Sequence, residues 1–394
     1  MTRSPPIAVD APPAAPRRAV VASWSVGVER LCRVGRSWGA ALALAASGCA
    51  PGPEPGADCD AFGVLCTIAG VGGLNGYNGD GEATASYLYF PSAFAWWDGA
   101  LAIDDFNNHR IRQLRGGRLM TRVGSGIHAY AQPGDLALFT PLENPVDIAV
   151  REDGALLIAE LHAARVLSVG DDGLVQVAAG TGEPGFYGDG GLAVEAKLSE
   201  AAGVSVDDGG GFLIADTDNH CLRRVGPDGV IDTLSGGGAG FVDADVQMGA
   251  QFYKPQRVRW TPFGVYVADS YNHAVRRIDL DTGAVSTVAG NGYAGYGGDG
   301  GPANAASLNM PYGLNVDAEG AVWVADSGNH AVRRIDPDGT IDTVVGGLPQ
   351  GFSGDGGDPL DAALAFPTDA FPAPDGFLYI ADMKNGAVRR LRLE

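Results

Sequence analysis

The chain has 394 residues, 45% of them apolar, with 60 glycines and 24 prolines. That apolar share excludes a disordered chain, and the glycines fall in periodic turns. The net charge is −20; residues 1–48 hold six basic and two acidic side chains, which leaves 21 basic against 45 acidic for the rest, and a body this acidic argues against nucleic acid and anionic membrane surfaces as partners.

Residues 29–50 read ERLCRVGRSWGAALALAASGCA. Arg30, Arg33 and Arg36 form a basic flank before a short apolar run, too short for a permanent bilayer helix of about 20 residues. With Ala46-Ser47-Gly48-Cys49 behind it, the stretch resembles a bacterial lipoprotein signal, although Ala46 stands where such signals usually carry Leu. The alternative is a buried apolar helix. The resemblance implies an export signal region over 1–48, lipidation of Cys49 and a linker over 49–65. Residues 1–28 are rich in Pro and Ala, so the true start is placed nearer Val26 or Val28. Ala50, in place of Asp, implies the outer membrane, with the lipid anchor as the only membrane contact. Export permits disulfides. Cys32 would leave with the signal and Cys49 would be acylated, so Cys59 and Cys66 are expected to bridge. Cys221 fills a slot that is Ala274, Ala331 and Ala387 elsewhere, and reads as a buried small residue.

From residue 66 the chain repeats. Segments of TVAG type begin at 67, 121, 177, 233, 287 and 343. The best-preserved copy, 287–341, holds LNVD, VWVAD and AVRRID, with IDTVVG running on into the next. Each alternates β-branched or aromatic residues, and the joins Asp-Ala-Glu-Gly, Ser-Gly-Asn-His and Asp-Pro-Asp-Gly are turn chemistry. One copy is therefore a four-stranded antiparallel meander. Six of them predict an all-β, six-bladed propeller over 66–394. The chain opens on a fourth-strand pattern and ends on a third-strand pattern. Residues 67–69 are thus expected to complete the last blade and close the ring, removing the open edges.

The pattern D-S-x-N-H-x-V-R-R-I, followed by T-V-A-G-x-G and G-x-G-D-G-G-P-A, resembles the NHL repeat family across all six copies. Asn-His recurs at 108–109, 219–220, 272–273 and 329–330; the acid recurs as Asp105, Glu160, Asp216, Asp269, Asp326 and Asp382. The resemblance implies a six-bladed propeller that serves most often as a binding platform for proteins or other macromolecules. A few metal-dependent lyases and lactonases are similar.

The repeated histidines sit in equivalent turns of different blades, too far apart to meet one ion at about 2 Å, so no metal is expected. Asp and Asn are read as satisfying turn donors, with Asn in the left-handed conformation, and His and Arg as locking strands. His128 and His162 alone stand outside that slot. An aromatic recurs as Tyr77, Tyr130, Phe186, Phe241, Tyr296 and Phe352, close to the acid of a Gly-Asp-Gly loop. These loops lack the spacing of a helical calcium loop and the Lys of a phosphate loop. They read as plugs between blades; the alternative is an aromatic and acidic ring for a sugar or a cationic peptide. A meander puts both kinds of loop at one end, which is the expected ligand face.

Departures from the repeat mark the candidate site. Near the axis, small residues give way to Asp147, Arg257, Arg259, Asn315 and Asp369, and copies two and four lose the Gly-Asp-Gly-Gly loop around Tyr130 and Phe241. These seven are the candidate ligand-binding residues; the alternative is that the charged ones pair with one another. The expectation is a monomeric, non-catalytic cell-envelope scaffold for a protein or carbohydrate ligand, without cofactor. The rival is a calcium-dependent lactonase- or lyase-like enzyme working at the central channel. Asp147, Asp369 and Asn315 would be its only axial ligands, and Arg257 and Arg259 would oppose a cation.

Overall fold

The computed structural model describes residues 58–393; the export and lipidation readings for 1–48 and Cys49 lie outside them. Six antiparallel sheets stand around one axis, joined by turns and short 3-10 segments, with no α-helix among the described residues. The innermost strands are Pro91–Trp97, Pro145–Val150, Ala201–Val206, Pro255–Thr261, Pro311–Val316 and Pro367–Pro372. They define blades one to six. Five of the six begin with Pro, which suits a strand whose inner edge faces the axis and needs no ladder donor there. Neighbouring inner strands touch all the way round. Gly203 and Gly313 permit the closest approaches: an added Cβ would lie 2.9 Å from the Gln256 carbonyl and 2.2 Å from that of Thr368.

The ring closes where the sequence places its closure. Leu65–Gly70 pairs antiparallel with Ala387–Arg392, from Leu65 opposite Leu391 to Gly70 opposite Ala387. Cys59 and Cys66 are joined by a disulfide with Cα atoms 5.7 Å apart. Beside it, Arg390 donates to the Cys59 carbonyl at 3.1 Å and pairs with Asp60 at 2.5 Å.

Half the blades are larger than expected. In blades one, three and five a fifth, two-residue strand forms outside the fourth: Gly81–Glu82, Gly191–Leu192 and Gly301–Pro302. It comes from the end of the Gly-Asp-Gly loop, which crosses to the next blade's outer edge before turning inward. The two blades whose loops lost that motif lack the strand. Blade six lacks it as well, its pairing there being reduced to the single bridge of Gly357 with Leu65.

Six apolar clusters fill the gaps, each spanning a pair of neighbouring blades. The cluster between blades six and one joins Ala69, Phe94, Tyr379 and Val388, so the closing strand contributes to the core as well as to the sheet. A blade therefore buries its faces only against its neighbours.

Candidate functional site at the channel mouth

The conspicuous repeat residues form a clamp in each blade. The acid ending the second strand accepts a backbone N–H from the incoming loop: Asp269 from Tyr253 at 2.7 Å and Asp326 from Asn309 at 2.7 Å. The Asn three residues on donates to that acid and to a loop carbonyl, as Asn272 does to Gly240. A fully buried Arg on the third strand joins both acids; Arg276 lies 2.8 Å from Asp269 and 2.6 Å from Asp243. The loop aromatic covers its guanidinium, with Phe241 5.0 Å away. Burial pushes Asp269 up to about 6 against the pull of its hydrogen bonds and Arg276.

One expectation about the turn is corrected. The left-handed residue is the histidine, not the asparagine, with φ of 51°, 56°, 52° and 56° at His109, His220, His273 and His330. The reason is the ring's reach. From that conformation Nδ1 of His220, His273 and His330 accepts the backbone N–H of Lys254, Met310 and Phe366 in the next blade. Blade two solves the clamp differently. Arg165, in the register place of Ala274, meets the longer Glu160 at 2.7 Å and lies 4.9 Å from the Tyr130 ring. Tyr130 and Phe241 are thus built into clamps and do not join the axial candidates. His128 and His162 converge on Glu143, at 2.6 and 3.7 Å. Among the described residues, no three His, Cys, Asp or Glu side chains form a metal cage.

The other five candidates do meet. Arg257 pairs with Asp147 at 2.5 Å, and Arg259 grips both Asp147 oxygens at 2.9 and 3.1 Å. Arg259 also donates to Asn315 at 2.9 Å, and Asn315 donates to Asp369 at 2.8 Å. Backbone N–H groups of Val204 and Phe94 complete the carboxylates. Burial works to raise Asp147, but the two guanidinium groups outweigh it and hold it below the usual range. Burial prevails at Asp369. The network contains two carboxylates and two guanidiniums, and it divides the channel into two mouths.

At the loop-rich mouth lies a cavity of about 290 Å³. Ser92, Gln256, Tyr312 and Thr368, the second residues of their inner strands, line its floor and sides, with Glu200 and Lys254 toward the rim. Phe106, Leu161, Tyr271 and Met383 come down from the clamp turns. Lys254 pairs with Asp218 at 2.6 Å and Glu200 at 3.8 Å. Burial pushes the Tyr312 hydroxyl to about 12, so it is a neutral donor. At the floor, Ser92 Oγ and the two oxygens of Asp104, all buried, have no polar neighbour within reach but each other, and Arg257 Nε is buried without a hydrogen bond. Ser92 is near enough to Asp104 to lower its carboxyl pKa without meeting hydrogen-bond geometry; burial first, and the charges of Asp147 and Asp105, drive that pKa well up.

Sequence reasoning passed over Asp104, yet the signal was there. Ala159, Ala215, Ala268, Ala325 and Ala381 hold its place in the other blades. Part of the mouth was marked as well, at the position directly after the clamp acid, where Phe106, Leu161 and Met383 stand in place of the Thr217, Ser270 and Ser327 of the other blades.

Comparison with known proteins follows this geometry. The chain is 27% identical over 259 residues to the chloroplastic protein suppressor of quenching 1 of Arabidopsis thaliana, a match covering 60% of this chain and 24% of that protein. The chain thus spans about a quarter of that relative's length. Among solved structures, an auxiliary nutrient binding protein from Bacteroides ovatus aligns with TM-score 0.60 at 14% identity, over 84% of this chain and 76% of that one. A gluconolactonase from Xanthomonas campestris aligns with TM-score 0.54 at 16% identity, over 88% and 98%. At these identities the likeness is one of fold. The NHL repeat model matches residues 198–225 and the Teneurin NHL domain model residues 292–349. Set in a ring of six repeat-built blades, these matches support an NHL-type propeller.

Proposed function

We propose that the protein is a non-catalytic binding scaffold of the cell envelope, held by a lipid on Cys49, whose ligand is recognised at the loop-rich mouth of the channel. The observation that carries this reading is the closure of the axial charges on one another. Asp147 is taken up by Arg257 and Arg259, and Asp369 by Asn315 and backbone donors. A catalytic cation at the axis needs several free oxygen ligands, and both guanidiniums stand against it. What stays open is a cavity lined with hydroxyl, amide and aromatic groups, the make-up of a recognition pocket.

Calcium titration followed by thermal unfolding separates the two readings. The scaffold is expected to show no specific stabilisation. A calcium-dependent rise in Tm that disappears in Asp147→Asn moves the protein to the enzyme class. Capture from intact envelopes with wild type and Lys254→Glu then tests the mouth itself. Lys254 is the better probe than Arg257, whose replacement would break the axial network.

A further inference from the structure

We propose that the loop-rich mouth takes one uncharged, polyhydroxylated unit, a monosaccharide or the terminal residue of a glycan, anchored at Ser92. The inference rests on the scaffold reading and adds the class of ligand. Charge comes first. The body of the protein is strongly acidic, yet the charged groups at this cavity are already engaged: Lys254 with Asp218 and Glu200, Arg257 with Asp147. A charged ligand would have to break one of these pairs, whereas a neutral one need not.

The hydrogen-bonding inventory points the same way. Ser92, Thr368, Tyr271 and Tyr312 place four hydroxyls at the cavity and Gln256 an amide; Thr368 donates to the Pro91 carbonyl and Tyr271 bonds Tyr312, which leaves acceptor positions on these groups for a ligand. Each hydroxyl both donates and accepts, as a sugar hydroxyl does. Ser92 is 3% exposed, lines the cavity, and its Oγ has no polar neighbour but Asp104. With Asp104 alone beside it, the hydroxyl keeps hydrogen-bonding capacity unused, and a ligand hydroxyl would fill it. Behind it Asp104 is placed to accept a hydrogen bond from the Ser92 O–H once Ser92 Oγ accepts from the ligand. Asp104 breaks the alanine rule of the other five blades at this one place. Phe106, Leu161 and Met383 supply apolar wall for the C–H face of a pyranose ring. The 290 Å³ volume equals about ten waters at ~30 Å³ each, room for one ring rather than a chain.

The test uses the full chain in thermal-shift and calorimetric titrations. The neutral probes are glucose, galactose, mannose, N-acetylglucosamine and their methyl glycosides; gluconate and glucosamine are the charged ones. At least one neutral sugar is expected to bind, and Ser92→Val should weaken it about tenfold, the worth of one good hydrogen bond. Asp104→Ala, which restores the repeat residue and keeps the fold, should weaken it too. Methyl glycosides binding as well as free sugars would identify a glycan end; binding of free sugars alone would identify the free monosaccharide. Binding only of gluconate or glucosamine overturns the ligand class. Binding unaffected in both variants overturns the anchor. If no probe binds while envelope capture still recovers a Lys254-dependent partner, the sugar pocket falls and the scaffold stands.

Discussion

Asp104 is a fully buried carboxyl with no ion-pair partner in contact and only Ser92 as a hydrogen-bonding neighbour. Its folded pKa is raised above the ordinary 3.8, first by burial and then by Asp147 and Asp105. The folded state therefore holds its proton where the unfolded chain releases it. Stability linked to this group is complete below pH 3.8 and is lost as the pH rises toward the folded value. Asp104→Ala removes the liability, so its Tm should exceed that of wild type at pH 8, by the equivalent of about 1–3 kcal/mol. The difference should shrink at pH 4. Unfolding scans of both proteins at the two pH values check this, and an Asp104→Ala protein less stable than wild type at pH 8 would show that the contact with Ser92 outweighs the cost of burial.

At the scale of the blade, the clamp shows what a repeat can and cannot reveal. Acid, Asn, Arg and aromatic were legible as architecture because they recur, and in the structure they contact one another. The handedness of His was not legible, since it depends on a backbone N–H supplied by the next blade. The fifth strands were hidden because Gly-Asp-Gly-Gly reads as turn chemistry whether or not its last residues pair. Blade two keeps the clamp by moving its Arg two residues and lengthening its acid. Arg165→Ala should thus cost about 3–5 kcal/mol, since Glu160 would remain charged and buried. Urea unfolding measures it; a loss under 1 kcal/mol would mean that the displaced Arg does not carry the blade.

For the whole molecule, the ring and its closure followed from spacing and phase, because six copies set 54 or 56 residues apart and a phase offset admit one simple solution. The axial site was half legible. Breaks in the small-residue rule named the five residues that meet, but the sequence held open whether they face a ligand or one another. The mouth cavity was not legible, since it gathers side chains from all six blades. Closure makes the ends structural. Reducing or replacing the Cys59–Cys66 bridge, seven residues apart, should lower stability by about 2–3 kcal/mol. Deleting 60–70 should lower the melting of the entire propeller in one transition; an unchanged Tm would refute the closure.

The pairing of Leu65 with Leu391 also fixes an order of events in time. Loop-closure entropy makes contacts between distant residues the slow ones. The edge that completes blade six emerges first in synthesis and finds its partner last. Until then Leu65–Gly70 is an open strand with apolar residues on it. Refolding should accordingly end in a slow, concentration-sensitive phase, because at high protein concentration the strand of one chain can complete the blade of another. The same contact that closes the ring within one chain makes its last folding step the point at which two chains can join.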